Sequence, residues 1–175
     1  MDKYYLVGGL MIATVGAIKD LRGRTIPNLL TYSGISFGLS FRVAIGGWPA
    51  LKIGVLGMLI GGGLFYLLFL VGGMGGGDVK LMAAVAAWAG TLQTIHILTI
   101  TAMAGGILAI VYMVRHRQVR SVVQNSLELL RHHLAHGLEP HPLLNVGQAG
   151  SFQIPYGLAI VIGTVVCAST AFWRG

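Results

Sequence analysis

Long apolar runs constrain this chain more than any other feature. Residues 4–18, 29–46, 53–71 and 154–172 are almost continuously apolar, and Arg42 is the one charge inside them. A membrane-crossing helix needs about 20 mainly apolar residues, so each run fits one crossing. A fifth stretch, 79–114, holds 36 residues, too many for one crossing and slightly few for two. The chain has 175 residues, of which 10% are charged and 55% hydrophobic. A soluble domain carries about 25% charged residues, so a water-soluble globule is excluded. A disordered chain needs low hydrophobicity and is excluded too. The 27 glycines follow no period of three, which removes a collagen-like fold. What remains is an integral membrane protein built of helices.

The basic residues set the predicted topology. The net charge of +7 marks cytoplasmic loops rather than a nucleic-acid surface. Lys19, Arg22 and Arg24 follow the first run, Lys80 opens the 79–114 stretch, and Arg115, Arg117, Arg120 and Arg131 follow it. If all three clusters are cytoplasmic, residues 79–114 cross twice and turn near Gly90 and Thr91. Positive charges follow the first run, and more spans come after it, so it is not read as a cleaved signal peptide. Cys167 stands alone in an apolar run, which excludes an intramolecular disulfide and a CxxC zinc site. The polar stretch 115–151 carries Val119, Val122, Leu127, Leu130, Leu134 and Leu138 at roughly helical spacing, as a helix on the inner membrane surface would. The predicted fold class is an all-α integral membrane protein: six transmembrane helices in one domain over residues 1–175, both termini outside, and a surface helix between spans five and six.

Five carboxylates occur in the whole chain. Asp2 is terminal, and Glu128 and Glu139 belong to the polar stretch. Asp20 and Asp78 each stand at the cytoplasmic end of a predicted span, where ionisable groups are costly and usually functional. Asp20 also reads as a loop charge paired with its basic neighbours, and Asp78 as a helix N-cap after Gly75-Gly76-Gly77. The topology puts both on one side at similar depth. Two carboxylates in one low-dielectric site share a proton, which leaves one base and one acid. Such a pair can activate water and protonate a leaving amine with no metal, thiol or cofactor. Residues 72–77 carry bulk only at Met74. That bare backbone allows unusual φ/ψ values and close approach by an extended substrate.

Three motifs in order resemble one family. Asp20-Leu21-Arg22-Gly23-Arg24-Thr25-Ile26-Pro27-Asn28 resembles the first aspartate motif of type IV prepilin peptidases, D-x-R-x-x-x-I-P-N. Gly75-Gly76-Gly77-Asp78-Val79-Lys80-Leu81 resembles their GxGD box followed by V-K-L. Ile154-Pro155-Tyr156-Gly157-Leu158-Ala159 resembles their C-terminal P-Y-G-x-A segment. The resemblance covers nearly the whole chain. It implies a GxGD aspartic endopeptidase of the bacterial inner membrane, with periplasmic termini and a cytoplasm-facing site. Such enzymes cut the basic leader from pilin precursors just before a hydrophobic helix. Asp20 and Asp78 are then the catalytic aspartates, and Gly75 and Gly77 shape the second loop. Larger members carry paired CxxC zinc ligands and methylate the new pilin N-terminus. This sequence lacks those cysteines and is similar to the short form serving Flp (tight-adherence) pili, so N-methylation is not expected. The implied partners are a pilin precursor, the lipid bilayer and the pilus assembly machinery, with no nucleic acid, metal or cofactor.

The remaining motif residues have softer readings. Pro27 fits the first turn of span two and biases Ile26 toward an extended form. Asn28 offers a hydrogen bond to a catalytic carboxylate. Arg22 offers a partner to Asp20 or lipid phosphate, and Lys80 snorkels or offsets the acids. Pro155 and Tyr156 open the last span. Gly34-Ile35-Ser36-Phe37-Gly38 formally matches G-x-S-x-G, and His96 completes a serine-peptidase reading. That motif has its mechanical meaning on a strand-to-helix turn, not inside a helix. His132 and His136 have i, i+4 spacing, but no glutamate follows His132, so HExxH is absent. A small transporter or channel, and a non-enzymatic assembly factor packing through Gly61-Gly62-Gly63, are the competing classes.

Overall fold

A computed structural model describes residues 2–23, 25–71, 73–115 and 156–173, together with residues 124, 127, 128, 131, 134 and 137. Five helices can be given bounds, and no strand occurs among the described residues: α1 (Asp2–Gly23), α2 (Asn28–Leu70), α3 (Gly76–Ala89), α4 (Thr91–Arg115) and α5 (Tyr156–Trp173). The expected runs 29–46 and 53–71 are both in α2, which breaks where the backbone leaves helical geometry at Gly47 (φ 62°, ψ −158°), two residues before Pro49. Glycine takes the left-handed φ without steric cost, and the proline cannot continue the helical ladder. Beyond the break the chain doubles back. Arg42 Cδ would lie 2.5 Å from a Cβ built on Gly54, whereas twelve residues of straight helix rise about 18 Å. α2 is therefore a helical hairpin with two arms.

The first arm begins at Asn28, directly after Pro27. Pro27 does not occupy the first turn but precedes it as N-cap (φ −61°, ψ 134°). Its carbonyl accepts from Leu30 N at 3.1 Å and Thr31 N at 3.4 Å. The expected turn at Gly90 and Thr91 is present. Gly90 closes α3 with φ 81°, its N–H donates to Ala86 O at 2.9 Å, and its carbonyl starts α4 at Thr94 N.

α3 is the centre of the bundle. Leu81, Met82, Ala84, Val85, Ala86 and Ala87 are each fully buried. The two arms of α2 pack along it, α1 lies against another face, and α5 joins α1 to α4. Its last carbonyls are held by Arg42, which is itself only 3% exposed. Arg42 Nε donates to Ala87 O at 2.9 Å and Nη2 to Trp88 O at 2.6 Å. A third bond reaches Ala50 O across the hairpin at 3.4 Å, and the guanidinium sits 4.3 Å from the Tyr5 ring centroid. A helix end leaves its last carbonyls without partners and carries partial negative charge, so a buried arginine is chemically suited to that place.

Outside this core the surface is apolar. Leu29, Met11, Trp48, Leu92, Met103 and Val114 are each more than 60% exposed. Water does not tolerate such a continuous patch. α1, α2, α4 and α5 are long and apolar enough to cross a membrane, whereas α3, with 14 residues, is shorter than one crossing needs. The chain is an all-α membrane protein. Most of the predicted surface helix, with His132, His133, His136, His141 and Glu139, lies outside the described residues. Within that stretch Gln124, Leu127, Glu128, Arg131 and Leu134 are helical and exposed.

Candidate active site

Helix register brings the two aspartates together. α1 and α3 run antiparallel, since a Cβ on Gly8 would overlap the Trp88 ring, while one on Gly16 would meet Leu81 Cδ1 at 2.5 Å. Numbers rise along α1 as they fall along α3. One further turn sets Asp20 opposite the first turn of α3, which carries Asp78. Asp20 is close enough to Asp78, and Asp78 to Tyr156, for the groups to interact electrostatically. Three helix ends thus meet at one place: the last turn of α1 and the first turns of α3 and α5.

The two carboxylates differ in what holds them. Asp20 is half-buried, and its Oδ2 accepts from the Gly157 N–H at 3.1 Å. Gly157 is in the first turn of α5, where backbone amides have no intrahelical partner. Asp78 is the third residue of α3, and Gly75 rather than Asp78 is the N-cap. The reason is that Gly76 and Gly77 already take helical geometry, so the helix starts before the aspartate. Asp78 N bonds Gly75 O at 3.1 Å, and its carboxylate bonds back to the Gly75 backbone, as the returning arm of a capping box does. Its other oxygen, Oδ1, is buried and has no hydrogen-bond partner among the described residues. Leaving a buried acceptor bare costs about 1–3 kcal/mol, a cost that a proton, a water or a substrate group on this oxygen would remove.

The glycine loop serves close packing rather than unusual backbone angles. Among its described residues none has a positive φ, which corrects that part of the expectation. A Cβ on Gly75 would lie 3.2 Å from Asp78 Oδ2, and one on Gly77 would lie 3.4 Å from Ile26 Cβ. Ile26 is buried (9% exposed), as is Met74 (5% exposed). Ile26 therefore seats the α1–α2 connection on the start of α3, and Met74 pins the loop into the core.

Other predicted residues are near the site in different roles. Among the described residues Asn28 bonds a lysine rather than a carboxylate. Its Oδ1 accepts from Lys80 Nζ at 2.9 Å, and that ammonium lies 5.7 Å from the Tyr32 ring centroid. The pair ties the start of α2 to the start of α3. Arg22 is exposed in the last turn of α1. Tyr156 opens α5, with its ring 3.3 Å from a Cβ built on Gly105. Pro155 and Arg24 lie outside the described residues. Ser36 and His96 are exposed on different helices, and Gly34 and Gly38 face Ile12, Ala84 and Trp88 as packing positions. Gly61 and Gly62 face Ala86 and Ala83 of the chain's own α3. No group of three metal-ligating side chains occurs among the described residues.

A site of two carboxylates at the meeting of three helix ends, one accepting from an amide and one with an oxygen unpartnered among the described residues, accords with the match to a family model. The description of that model is type IV leader peptidase family, and the match spans residues 7–110. The chain belongs to the type IV leader peptidase family. The matched span contains both aspartates and the glycine loop but stops before α5. No curated protein and no solved structure matches the chain. Two contributors escaped sequence reasoning. Gly157 was visible inside the P-Y-G segment without an assigned contact, and Ile26 was visible only as a residue held extended by Pro27. In both cases the contact is made to a residue far away in sequence.

Proposed function

We propose that this leader peptidase is an aspartic endopeptidase using Asp20 and Asp78, and that it removes the basic leader of a pilin precursor at the cytoplasmic face of a bacterial inner membrane. The observation that carries the reading is the meeting of Asp20 and Asp78 at three helix ends, with Asp78 Oδ1 buried and without a partner among the described residues. In this reading α1, the two arms of α2, α3, α4 and α5 make six crossings with both termini outside. α3 rises only about 21 Å against a hydrocarbon core of about 30 Å, so one of its ends is recessed. The exposed Lys19 and Arg22 favour placing the aspartate end inside. The substrate's apolar helix packs in the bilayer against the exposed apolar faces. Its leader stays in water, and the scissile segment is extended beside the glycine loop. One carboxylate takes a proton from water as its oxygen attacks the peptide carbonyl, and the other gives its proton to the carbonyl oxygen. The resulting diol breaks its C–N bond as a proton passes to the amine. The resemblance to short-form enzymes supports an Flp-type pilin as the substrate.

The test is cleavage of a pilin precursor by detergent-purified protein, with chelator present, beside Asp20→Asn and Asp78→Asn. Each substitution keeps shape and removes the ionisable group. Cleavage by the parent and loss of at least about 100-fold in both folded variants is expected, since a general acid or base contributes about 100- to 10,000-fold. If either variant still cuts near the parental rate, the aspartic reading is wrong.

A further inference from the structure

We infer that Gly157 is a positioning residue that fixes the division of labour between the aspartates, holding Asp20 as the base while Asp78 carries the resting proton. The inference rests on the aspartic reading above and deepens it.

The two carboxylates have unequal surroundings. Asp20 Oδ2 receives the Gly157 N–H at 3.1 Å, at the start of α5, where the helix dipole is positive. A hydrogen bond to an ionised acceptor is roughly twice as strong as one between neutral groups, so this contact favours the charged form. Asp78 lies at the N-terminus of a shorter helix and takes one backbone contact at Gly75. Its Oδ1 is buried without a partner among the described residues. A protonated Oδ1 needs an acceptor, and the carbonyl oxygen of a scissile peptide is one. A charged Oδ1 there would be a buried anionic oxygen without a donor. Among the described residues, Asp78 of α3 is a titratable group that interacts with Asp20, Tyr156 of α5 is one that interacts with Asp78, and Lys19 and Arg22 are charged groups on the helix of Asp20.

Gly157 is also a steric requirement. A Cβ there would sit 2.9 Å from Asp20 Oδ2, 3.1 Å from Asp20 Cβ and 3.2 Å from Ala17 Cα. Only a glycine lets the amide reach the carboxylate at this distance. In the reaction the water O–H bond breaks, its oxygen bonds to the carbonyl carbon, and the proton goes to Asp20. The Asp78 proton goes to the carbonyl oxygen. When the C–N bond breaks, the proton on Asp20 passes to the amine, and Asp78 recovers its proton from a diol hydroxyl. Water and peptide have become acid and amine, and both carboxylates are reset.

The test separates the amide from bulk. Glycolic acid in place of Gly157, introduced as a backbone ester, removes the N–H and adds no atoms. Gly157→Ala keeps the N–H and adds the Cβ. Both are assayed on a pilin precursor over a range of pH, with kcat and KM resolved and folding checked by unfolding temperature. The ester is expected to lower kcat about tenfold or more, to leave KM within about twofold, and to move the acid limb of the kcat profile up by about one pH unit. Gly157→Ala is expected to lower kcat with the same small change in KM. An ester with unchanged kcat and acid limb overturns the inference even if the alanine variant is dead. A loss confined to KM, or an acid limb that moves down, overturns it as well. A parent that cuts, with Asp20→Asn inactive and the ester normal, leaves the aspartic reading standing alone. An Asp20→Asn variant that still cuts removes both.

Discussion

Replacing Arg42 by methionine should destabilise the bundle more than any other single change at a charged residue. Methionine keeps the apolar stem and deletes the guanidinium. Two short bonds are lost, at 2.9 Å to Ala87 O and 2.6 Å to Trp88 O, with a weak third at 3.4 Å to Ala50 O. Hydrogen bonds to charged groups contribute about 1.5–3 kcal/mol each, so the two short ones amount to about 3–6 kcal/mol. The ring contact with Tyr5 adds about 0.5–2 kcal/mol. Against this, the variant no longer buries a charge, and that relief is several kcal/mol. The net is a loss of about 3 kcal/mol, because two carbonyls at the end of α3 stay buried without donors. For a chain of this size that shifts the midpoint by about 6–12 °C. Cys167 is the single cysteine and is 2% exposed, so labelling by a thiol-reactive dye during heating in detergent reads unfolding directly. Arg42→Lys, which keeps the charge without the planar fork, should fall between methionine and the parent. A midpoint for Arg42→Met within about 2 °C of the parent would refute the reasoning, since it would mean that water already serves these carbonyls.

The glycine loop makes a graded prediction: Gly75→Ala, whose Cβ would crowd Asp78 Oδ2 at 3.2 Å, should reduce cleavage more than Gly77→Ala, whose Cβ meets Ile26 at an ordinary 3.4 Å. Parallel rate measurements on one precursor check the order. Lys80→Met removes the bond to Asn28 Oδ1 at an exposed place, so its unfolding midpoint should drop by less than about 4 °C, corresponding to about 1 kcal/mol. Gly8→Ala drives a methyl into the Trp88 ring and should cost about 1–3 kcal/mol by overpacking, read in the same thermal assay. For topology, with Cys167 replaced by alanine, Arg22→Cys and Lys52→Cys should be labelled from opposite sides of the membrane by an impermeant thiol reagent. Labelling of both from one side would contradict the six-crossing arrangement.

The parts of this molecule that the sequence disclosed are those governed by local pattern. Apolar runs gave the helices, Gly90 gave the turn after α3, and two acids in an acid-poor chain gave the pair. What stayed hidden depends on partners distant in sequence. Arg42 looked like an interruption of a span, and only folding shows that it meets Ala87 and Trp88, more than forty residues on. Asn28 has an amide N–H able to donate to a carboxylate, but the contact it makes in the fold is through its oxygen, to Lys80. The N-cap of α3 was misplaced because aspartate is a strong cap in general, while here three glycines precede it and the first of them takes that place. The residues flanking Gly47 read as the end of one span and the approach to another. In the structure they belong to a single hairpin, because its two arms need only one left-handed residue between them.

Glycine, which reads as looseness in the sequence, works here as a register device. α1 meets α3 through Gly8, Gly9 and Gly16, and α2 meets it through Gly34, Gly54, Gly57, Gly61 and Gly62. In a membrane, where lipid is as apolar as leucine, close backbone approach through small residues drives helix association. That explains how an alanine-rich helix can be the buried centre. It also explains why the centre is precise. The large Trp88 ring lies between Gly8 and Gly38, and its Nε1–H donates to Gly34 O at 2.8 Å, so α1 and α3 cannot slide past one another without a clash. The same lock, carried down two rigid helices, decides which residue of α1 stands opposite Asp78. A slip of one residue would rotate Asp20 by about 100° around its helix, away from both Gly157 and its partner. The packing far from the aspartates is therefore part of what makes them a pair.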